Sequence, residues 1–374
     1  MTDRKAAIDA FLSAHGFGMW TRTPLPGDAS TRRYLRLAHG HEKIMLMDQP
    51  QLAEAPKCPP DATRDERVKL GYNALARLAG ADVRPFAALS DFLCSQGLSA
   101  PKILAADPAQ GFLLHEDLGD DLIARLAEQG RDVRPFYEAA IDALVRLHHV
   151  AAPAALPLAG AQSVPLLAYD TLALATETML LPEWFLPLAT GRAADPSAIA
   201  EYQALWAEIL PLAVPERAIV TLRDYHAENI FWLPNRTGAA RAGLIDFQDA
   251  LAGHPAYDLI SLLEDARRDV DPALAAAMTA RYIARARAEG VLAGEDDFRQ
   301  AAAILAAQRN AKIVGIFARL FVRDGKPRYL AFLPRMWTYL ARDLSHPALA
   351  RLRHWFDTHV PPHLRGIPSA EKMP

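Results

Sequence analysis

Residues 222–249 read LRDYHAENIFWLPNRTGAARAGLIDFQD, and the spacing inside them decides how the rest of the chain is read. Asp224 is followed five positions later by Asn229, and Asp246 stands seventeen positions beyond that. Residues 230–233 and 241–247 have the composition of two strands, with Pro234, Asn235 and Gly238 supplying turn chemistry between them. A hairpin built this way brings Asn229 and Asp246 together. Transfer of a γ-phosphoryl group uses such a set: a carboxylate that takes the acceptor proton, and oxygen ligands for Mg²⁺. Asp224 is the candidate base, and Asn229 with Asp246 the candidate metal pair. Two protein ligands are enough, because phosphates and water fill the other positions around Mg²⁺. Taken singly, Asp224 and Asn229 read equally well as loop residues bonding to nearby backbone. Their joint spacing with DFQD is what favours chemistry.

Working outward, DYHAEN followed by LIDFQDALAGHPAYDL closely resembles the aminoglycoside phosphotransferase and choline kinase superfamily. The combination of PGDASTRRYLRL (26–37), RDYHAEN and DFQDALAGHPAYDLISLLEDARRDV is similar to the bacterial N-acetylmuramate/N-acetylglucosamine 1-kinases of cell-wall recycling. The resemblance implies an α+β, protein-kinase-like two-lobed fold, with a small antiparallel β-sheet N-lobe and a large, mainly helical C-lobe. It implies ATP and Mg²⁺ as cofactors and an amino sugar, phosphorylated at its anomeric hydroxyl, as substrate. Asp224 would be the base, His226 a supporting histidine and Asn229 a metal ligand, with Arg223 counted among the catalytic residues. Where kinases and many phosphotransferases carry a histidine two positions before the base, this chain has Leu222, so the loop must be anchored differently. Gly253, Pro255, Asp258 and Leu259 match a later family segment in which Asp258 braces the catalytic loop. An aminoglycoside or choline-type kinase is the alternative enzyme. A nucleotide-binding pseudokinase is the non-enzyme alternative, against which the intact Asp224, Asn229 and Asp246 argue.

Composition agrees with this reading. A chain of 374 residues, 51% hydrophobic, is long enough for two lobes around a sizeable core. Lys plus Arg number 41 against 44 Asp plus Glu, and a formal charge of −3 offers no broad basic surface for nucleic acid. Cys58 and Cys94 form neither a CxxC pair nor a disulfide framework, which suits a reducing compartment. MTDRKAAIDAF lacks an apolar signal core. Residues 147–169 carry no formal charge, but Pro153, Pro157 and Pro165 interrupt them, so they read as a proline-rich connection rather than a membrane span. The expectation is a cytoplasmic monomer that meets a small amino sugar, not nucleic acid or membrane.

The N-lobe is expected over residues 1–117 and the C-lobe over 118–374. Residues 3–15 read as a helix, and 19–26, 31–38 and 42–47 as an antiparallel meander. An insertion over 49–80 contains one helix, and 84–96 an amphipathic helix ended by Gly97. Strands over 102–106 and 111–116 lead to HEDLGD, which resembles a kinase hinge, so that backbone near Glu116 and Leu118 would bind adenine. Helices follow over 134–150, 166–180, 197–212, 255–268, 271–289, 295–323, 327–342 and 347–357.

PGDASTRRY joins the first two strands where a kinase fold covers the ATP phosphates. Gly27 permits close backbone approach, and Ser30, Thr31 and Arg32 add donors. Strand alternation aims only one of Arg32 and Arg33 at the cleft, and Arg32 is preferred. On the third strand, IMLMD, Met45 or Met47 replaces the usual phosphate-binding lysine; Lys43 stands at the strand's start, and no glutamate lies on the 84–96 helix. His254, Glu264, Arg267 and Arg268, after the metal aspartate, are the candidate acceptor-binding residues, the arginines suited to a lactyl carboxylate. A solvated, charged helix face is the plainer reading of the same residues.

Overall fold

The computed structural model describes residues 2–26, 32–50 and 58–368. Helix α1 (Thr2–Ala14) precedes β1 (Thr21–Pro24), β2 (Arg33–His39) and β3 (Glu42–Asp48). Short helices α2 (Arg64–Leu70) and α3 (Tyr72–Leu75) lead to α4 (Arg84–Ser95), β4 (Ile103–Asp107) and β5 (Phe112–Glu116). The five strands form one antiparallel sheet in the order β1-β2-β3-β5-β4. Alternation along the strands sorts their side chains onto two faces. Leu37, Ile44, Leu46, Phe112 and Leu114 pack under Phe11 and Leu12 of α1. The opposite row holds Tyr34, Arg36, Met45, Met47, Leu113 and His115, in register across β2, β3 and β5.

Beyond β5 the chain is mainly helical. It runs through α5 (Ile123–Glu128), α6 (Arg134–His148), a hairpin of β6 (Ala155–Leu158) and β7 (Gln162–Pro165), α7 (Thr171–Thr178), a π-turn (Leu181–Phe185), α8 (Leu186–Thr190) and α9 (Pro196–Ile209). Three-residue strands then frame the central stretch: β8 (Ile219–Thr221) pairs with β11 (Leu251–Gly253), and β9 (Ile230–Trp232) with β10 (Ala242–Leu244). Helices α10 (Ala256–Leu263), α11 (Pro272–Ala288), α12 (Glu295–Val322), α13 (Leu333–Asp343) and α14 (Ala350–His359) complete the chain. The 28-residue α12 is buried along most of its length and is the axle of this helical part. Together these elements make the protein-kinase-like two-lobed fold that the sequence predicts.

Several local expectations are corrected. The insertion holds two short helices rather than one, broken at Gly71 with φ 90°. Residues 147–169 are no bare connection, since their prolines sit in and beside the two-stranded β6–β7 hairpin, which packs against α4. The helix expected to start at 166 starts at Thr171, where Asp170 accepts the Ala173 N–H at 2.8 Å as its cap. The helix expected through 268 ends at Leu263, so the charged run after it lies in a bent loop and not on a helix face. The strand expected over 241–247 ends at Leu244, because Asp246 takes a left-handed backbone with φ 59°.

Candidate active site

The loop that carries Asp224 leaves β8 and is tied down at once. Asp258, buried on α10, accepts the N–H of Leu222 at 2.7 Å and that of Arg223 at 2.9 Å. This is the anchor that the missing histidine at position 222 left to be found. The two bonds reverse the chain so that Arg223, at φ 71°, turns its side chain inward while the next residue, Asp224, is exposed. Burial raises the Asp258 pKa to about 7, against the pull of the two N–H groups.

Asn229 stands at the start of β9 and Asp246 just past β10, and the pairing of those strands brings their side chains to 3.4 Å. The Asn229 amide also donates to the Asp224 carbonyl at 3.0 Å, which joins the three residues in one cluster. Arg32 lies one residue before β2 and reaches across to the Asp246 carboxylate at 2.9 Å, while Arg33 is exposed. The Asp246 side chain keeps 40% of its surface open. Desolvation, with Asp224 as a second negative charge, raises its pKa above the usual carboxylate range, against Arg32. Gln248 donates to the same oxygen that Arg32 contacts, at 3.0 Å. One carboxylate and one amide form a hard donor set, and among the described residues no cluster of three or more His, Cys, Asp or Glu could close around a metal.

His226 is buried and its pKa is pushed down to about 4, chiefly by burial, so it is neutral. Its Nε2 faces the guanidinium of Arg267 at 3.1 Å and the Asn229 amide at 3.4 Å. Two donors on Nε2 make that atom the acceptor and put the ring proton on Nδ1. Phe247, next to Asp246, stacks on Phe86 of α4 at 4.8 Å, and Phe86 lies 5.5 Å from His115.

On the sheet side, Arg36 reaches the segment after β5, contacting Asp117 at 2.6 Å and Asp120 at 2.7 Å. The Glu116 side chain binds Arg236 at 2.7 Å, and its N–H pairs with Lys102 O. Among the described residues nothing pairs with the Leu118 backbone. Met45 and Met47 are buried in the cleft-facing row, Tyr34 donates to the Met47 sulfur at 3.4 Å, and Lys43 is exposed at the strand's start. Gly27, Ser30 and Thr31 lie outside the described residues.

The Phosphotransferase enzyme family model matches residues 21–291. The chain belongs to this family. Among its relatives is the N-acetylmuramate/N-acetylglucosamine kinase of Caulobacter vibrioides, 50% identical over 368 residues that cover 97% of this chain and 99% of that one. The enzyme of the same description from Pseudomonas aeruginosa is 31% identical over 88% of this chain and 86% of its own. Solved structures share the fold. A choline/ethanolamine kinase family protein from Mesorhizobium loti has a TM-score of 0.54 at 15% identity, covering 95% of this chain and 99% of that one. ADP-bound aminoglycoside phosphotransferase APH(2'')-Ib has a TM-score of 0.51 at 14% identity, covering 94% and 99%.

Of the four acceptor-binding candidates in this phosphotransferase, only Arg267 contacts the cluster, through His226. Arg268 Nε and Nη1 are buried and have no hydrogen-bond partner among the described residues. Glu264 is buried and occupied by Arg342, by Asn310 at 2.6 Å and by a charged neighbour, Arg309, on its carbonyl. His254 accepts the Ala256 N–H and stacks on Phe298, which makes it a helix-start residue. No local pattern in the sequence singled out Glu177 of α7, Arg36 or Gln248. Gln248 is two residues from Asp246, and that proximity was its one local signal. Glu177 lies 46 residues from Arg223, its partner.

Proposed function

We propose that this phosphotransferase uses ATP and Mg²⁺ to phosphorylate the anomeric hydroxyl of N-acetylmuramate, N-acetylglucosamine or both, as a cytoplasmic step in recycling cell-wall sugars. The observation that carries the reading is the meeting of Asp224, Asn229 and Asp246 in one cluster, in a chain half identical to a kinase named for those sugars. The lobes part near residues 117 and 118. Asn229 and Asp246 would hold Mg²⁺, whose charge would offset that of the ATP phosphates.

In this reading Asp224 accepts the proton of the acceptor hydroxyl as its oxygen bonds to the γ-phosphorus and the bond to the bridging oxygen of ADP breaks. Neutral His226 orients Asn229 and Arg267. Arg32, now on Asp246, would transfer to the ATP phosphates and so stand in for the lysine whose place Met45 or Met47 takes. Gly27, Ser30 and Thr31 would cover the phosphates, Lys43 would add charge at the sheet's end, and backbone at Glu116 and Leu118 would receive adenine. Arg267 and Arg268 would meet an acceptor carboxylate, whose geometry the planar guanidinium fork matches. Glu264 and His254 have other partners and are not assigned to the acceptor.

An ATP-coupled assay with amino sugars, aminoglycosides and choline tests the reading, with Asp224→Ala as control. Turnover of the amino sugars alone, giving an acid-labile phosphate, is expected. An acid-stable ester contradicts attack by the anomeric hydroxyl. Tight ATP binding with no acceptor turned over favours a sensor.

A further inference from the structure

The residue before the catalytic aspartate is held from an unexpected direction. Arg223 has φ 71°, a left-handed backbone that non-glycine residues adopt only when their surroundings impose it. Asp258 holds its N–H, and Ser261 donates to its carbonyl at 3.1 Å. Its guanidinium is buried and bonded to the carboxylate of Glu177, which lies on α7 and has no exposed surface. The same guanidinium donates to Ala76 O at 3.3 Å in the insertion and to Asp249 O at 3.4 Å, three residues after Asp246. Tyr169 lies under it at 4.9 Å.

Glu177 in turn is fully satisfied. Lys312 of α12 reaches it at 2.9 Å, Gln308 donates at 3.1 Å, and the Tyr169 hydroxyl donates as well. Two cations converge on one buried anion. Lys312 sits on α12 and also donates to Tyr257 of α10, whereas Arg223 is covalently next to Asp224. Loss of the carboxylate would leave two buried positive charges facing each other, and only the one on the loop can move away.

We infer that Glu177 is a positioning residue for phosphoryl transfer: through Arg223 it holds the catalytic loop in the strained turn that presents Asp224, and couples that turn to the segment carrying Asp246. The inference rests on the reading of Asp224 as the base. Because the reacting hydroxyl and not the bulk of either substrate depends on Asp224, the expected signature is in kcat and not in KM.

The test is steady-state kinetics of the full chain with Mg²⁺, ATP and N-acetylglucosamine, together with thermal melting. Glu177→Gln is expected to lower kcat about 30- to 100-fold with both KM values within about threefold, the scale of a small misplacement of a catalytic group. Glu177→Asp, which keeps the charge and is the safeguard if the first variant fails to fold, is expected to show a smaller loss of the same kind. Lys312→Met, which disturbs the same carboxylate without touching the loop, is expected to lower Tm and leave kcat within about threefold. Arg223→Met should lower kcat as Glu177→Gln does, and the double variant should be no worse than either single one. Glu177 variants that melt earlier with native kcat, or losses that multiply in the double variant, overturn the inference. Asp224→Asn, measured alongside, separates the two readings. If it keeps native kcat, the assignment of the base fails, whereas an inactive Asp224→Asn beside a fully active Glu177→Gln sinks only the role of Glu177.

Discussion

At Asp246 a left-handed backbone, the guanidinium of Arg32 just before β2 and the amide of Asn229 just before β9 meet on one carboxylate. A side chain so placed is expected to tolerate loss of charge poorly in function and well in stability. Asp246→Asn should fold and melt like the native protein while kcat falls at least about a thousandfold and excess Mg²⁺ restores nothing, which a metal titration of activity will check. Arg32→Ala should lower kcat/KM for ATP by about 10- to 100-fold, the worth of one charge-assisted hydrogen bond of about 1.5–3 kcal/mol, with little change in KM for the sugar. Asp258→Ala leaves the N–H groups of Leu222 and Arg223 buried and unpaired. It should cost about 2–5 kcal/mol of stability in a denaturant melt and most of the activity with it. The triad of Asp224, Asn229 and Asp246 was legible from spacing because a hairpin turns sequence distance into spatial contact. The preference for Arg32 over Arg33 was legible from strand alternation. The fates of Glu264 and His254 were not, since their partners Asn310, Arg342 and Phe298 come from elements far along the chain.

Among the elements, α12 shows how packing can hinge on one missing side chain. A Cβ built on Gly315 would stand 2.2 Å from the Leu180 carbonyl carbon and 2.4 Å from its oxygen, both backbone atoms at the entry to the π-turn. Neither can give way as a flexible side chain would. Gly315→Ala should therefore destabilise the fold by at least about 1–3 kcal/mol, outweighing the roughly 1 kcal/mol that alanine gains over glycine inside a helix, and thermal melting will report the sign. Helices α4, α11 and α12 were legible from their apolar spacing. The β6–β7 hairpin was not, because Pro157 and Pro165 conceal a two-stranded ribbon that needs α4 as its support. The end of α10 at Leu263 was also hidden. EDARRD carries no glycine or proline to stop a helix, and the stop comes from buried partners of Glu264 and Asp265.

Over the whole molecule, buried ionisable groups set how stability varies with pH. His148 is fully buried, its Nδ1 is 2.7 Å from the Tyr282 hydroxyl, and burial pushes its pKa down to about 3. In the unfolded chain the same ring titrates near 6.5. Its contribution is thus complete above about pH 6.5 and is lost as pH falls toward about 3, at about 1.4 kcal/mol per pH unit. Asp258, raised to about 7 by burial, has the opposite sign: its contribution is complete at acid pH and is lost as pH rises from the ordinary carboxylate range through about 7. Comparing native protein with His148→Gln cancels the carboxyl groups. Between pH 6 and 4 the variant's stability should fall less steeply, by about 1.4 kcal/mol per pH unit, in parallel urea melts. Beside the two-lobed kinase-like fold that its family resemblance implied, the sequence by itself determined the five strands of the first sheet, the β9–β10 hairpin, most helices, and the residues of the candidate catalytic cluster. These depend on short-range periodicity, turn chemistry and spacing, which a linear string records. Only the tertiary structure decided what holds Arg223 and Glu264, where the charged run after α10 turns, and which cation rests on Asp246. Those depend on burial, which removes water as a partner and forces each polar group to find another one wherever the folded chain supplies it.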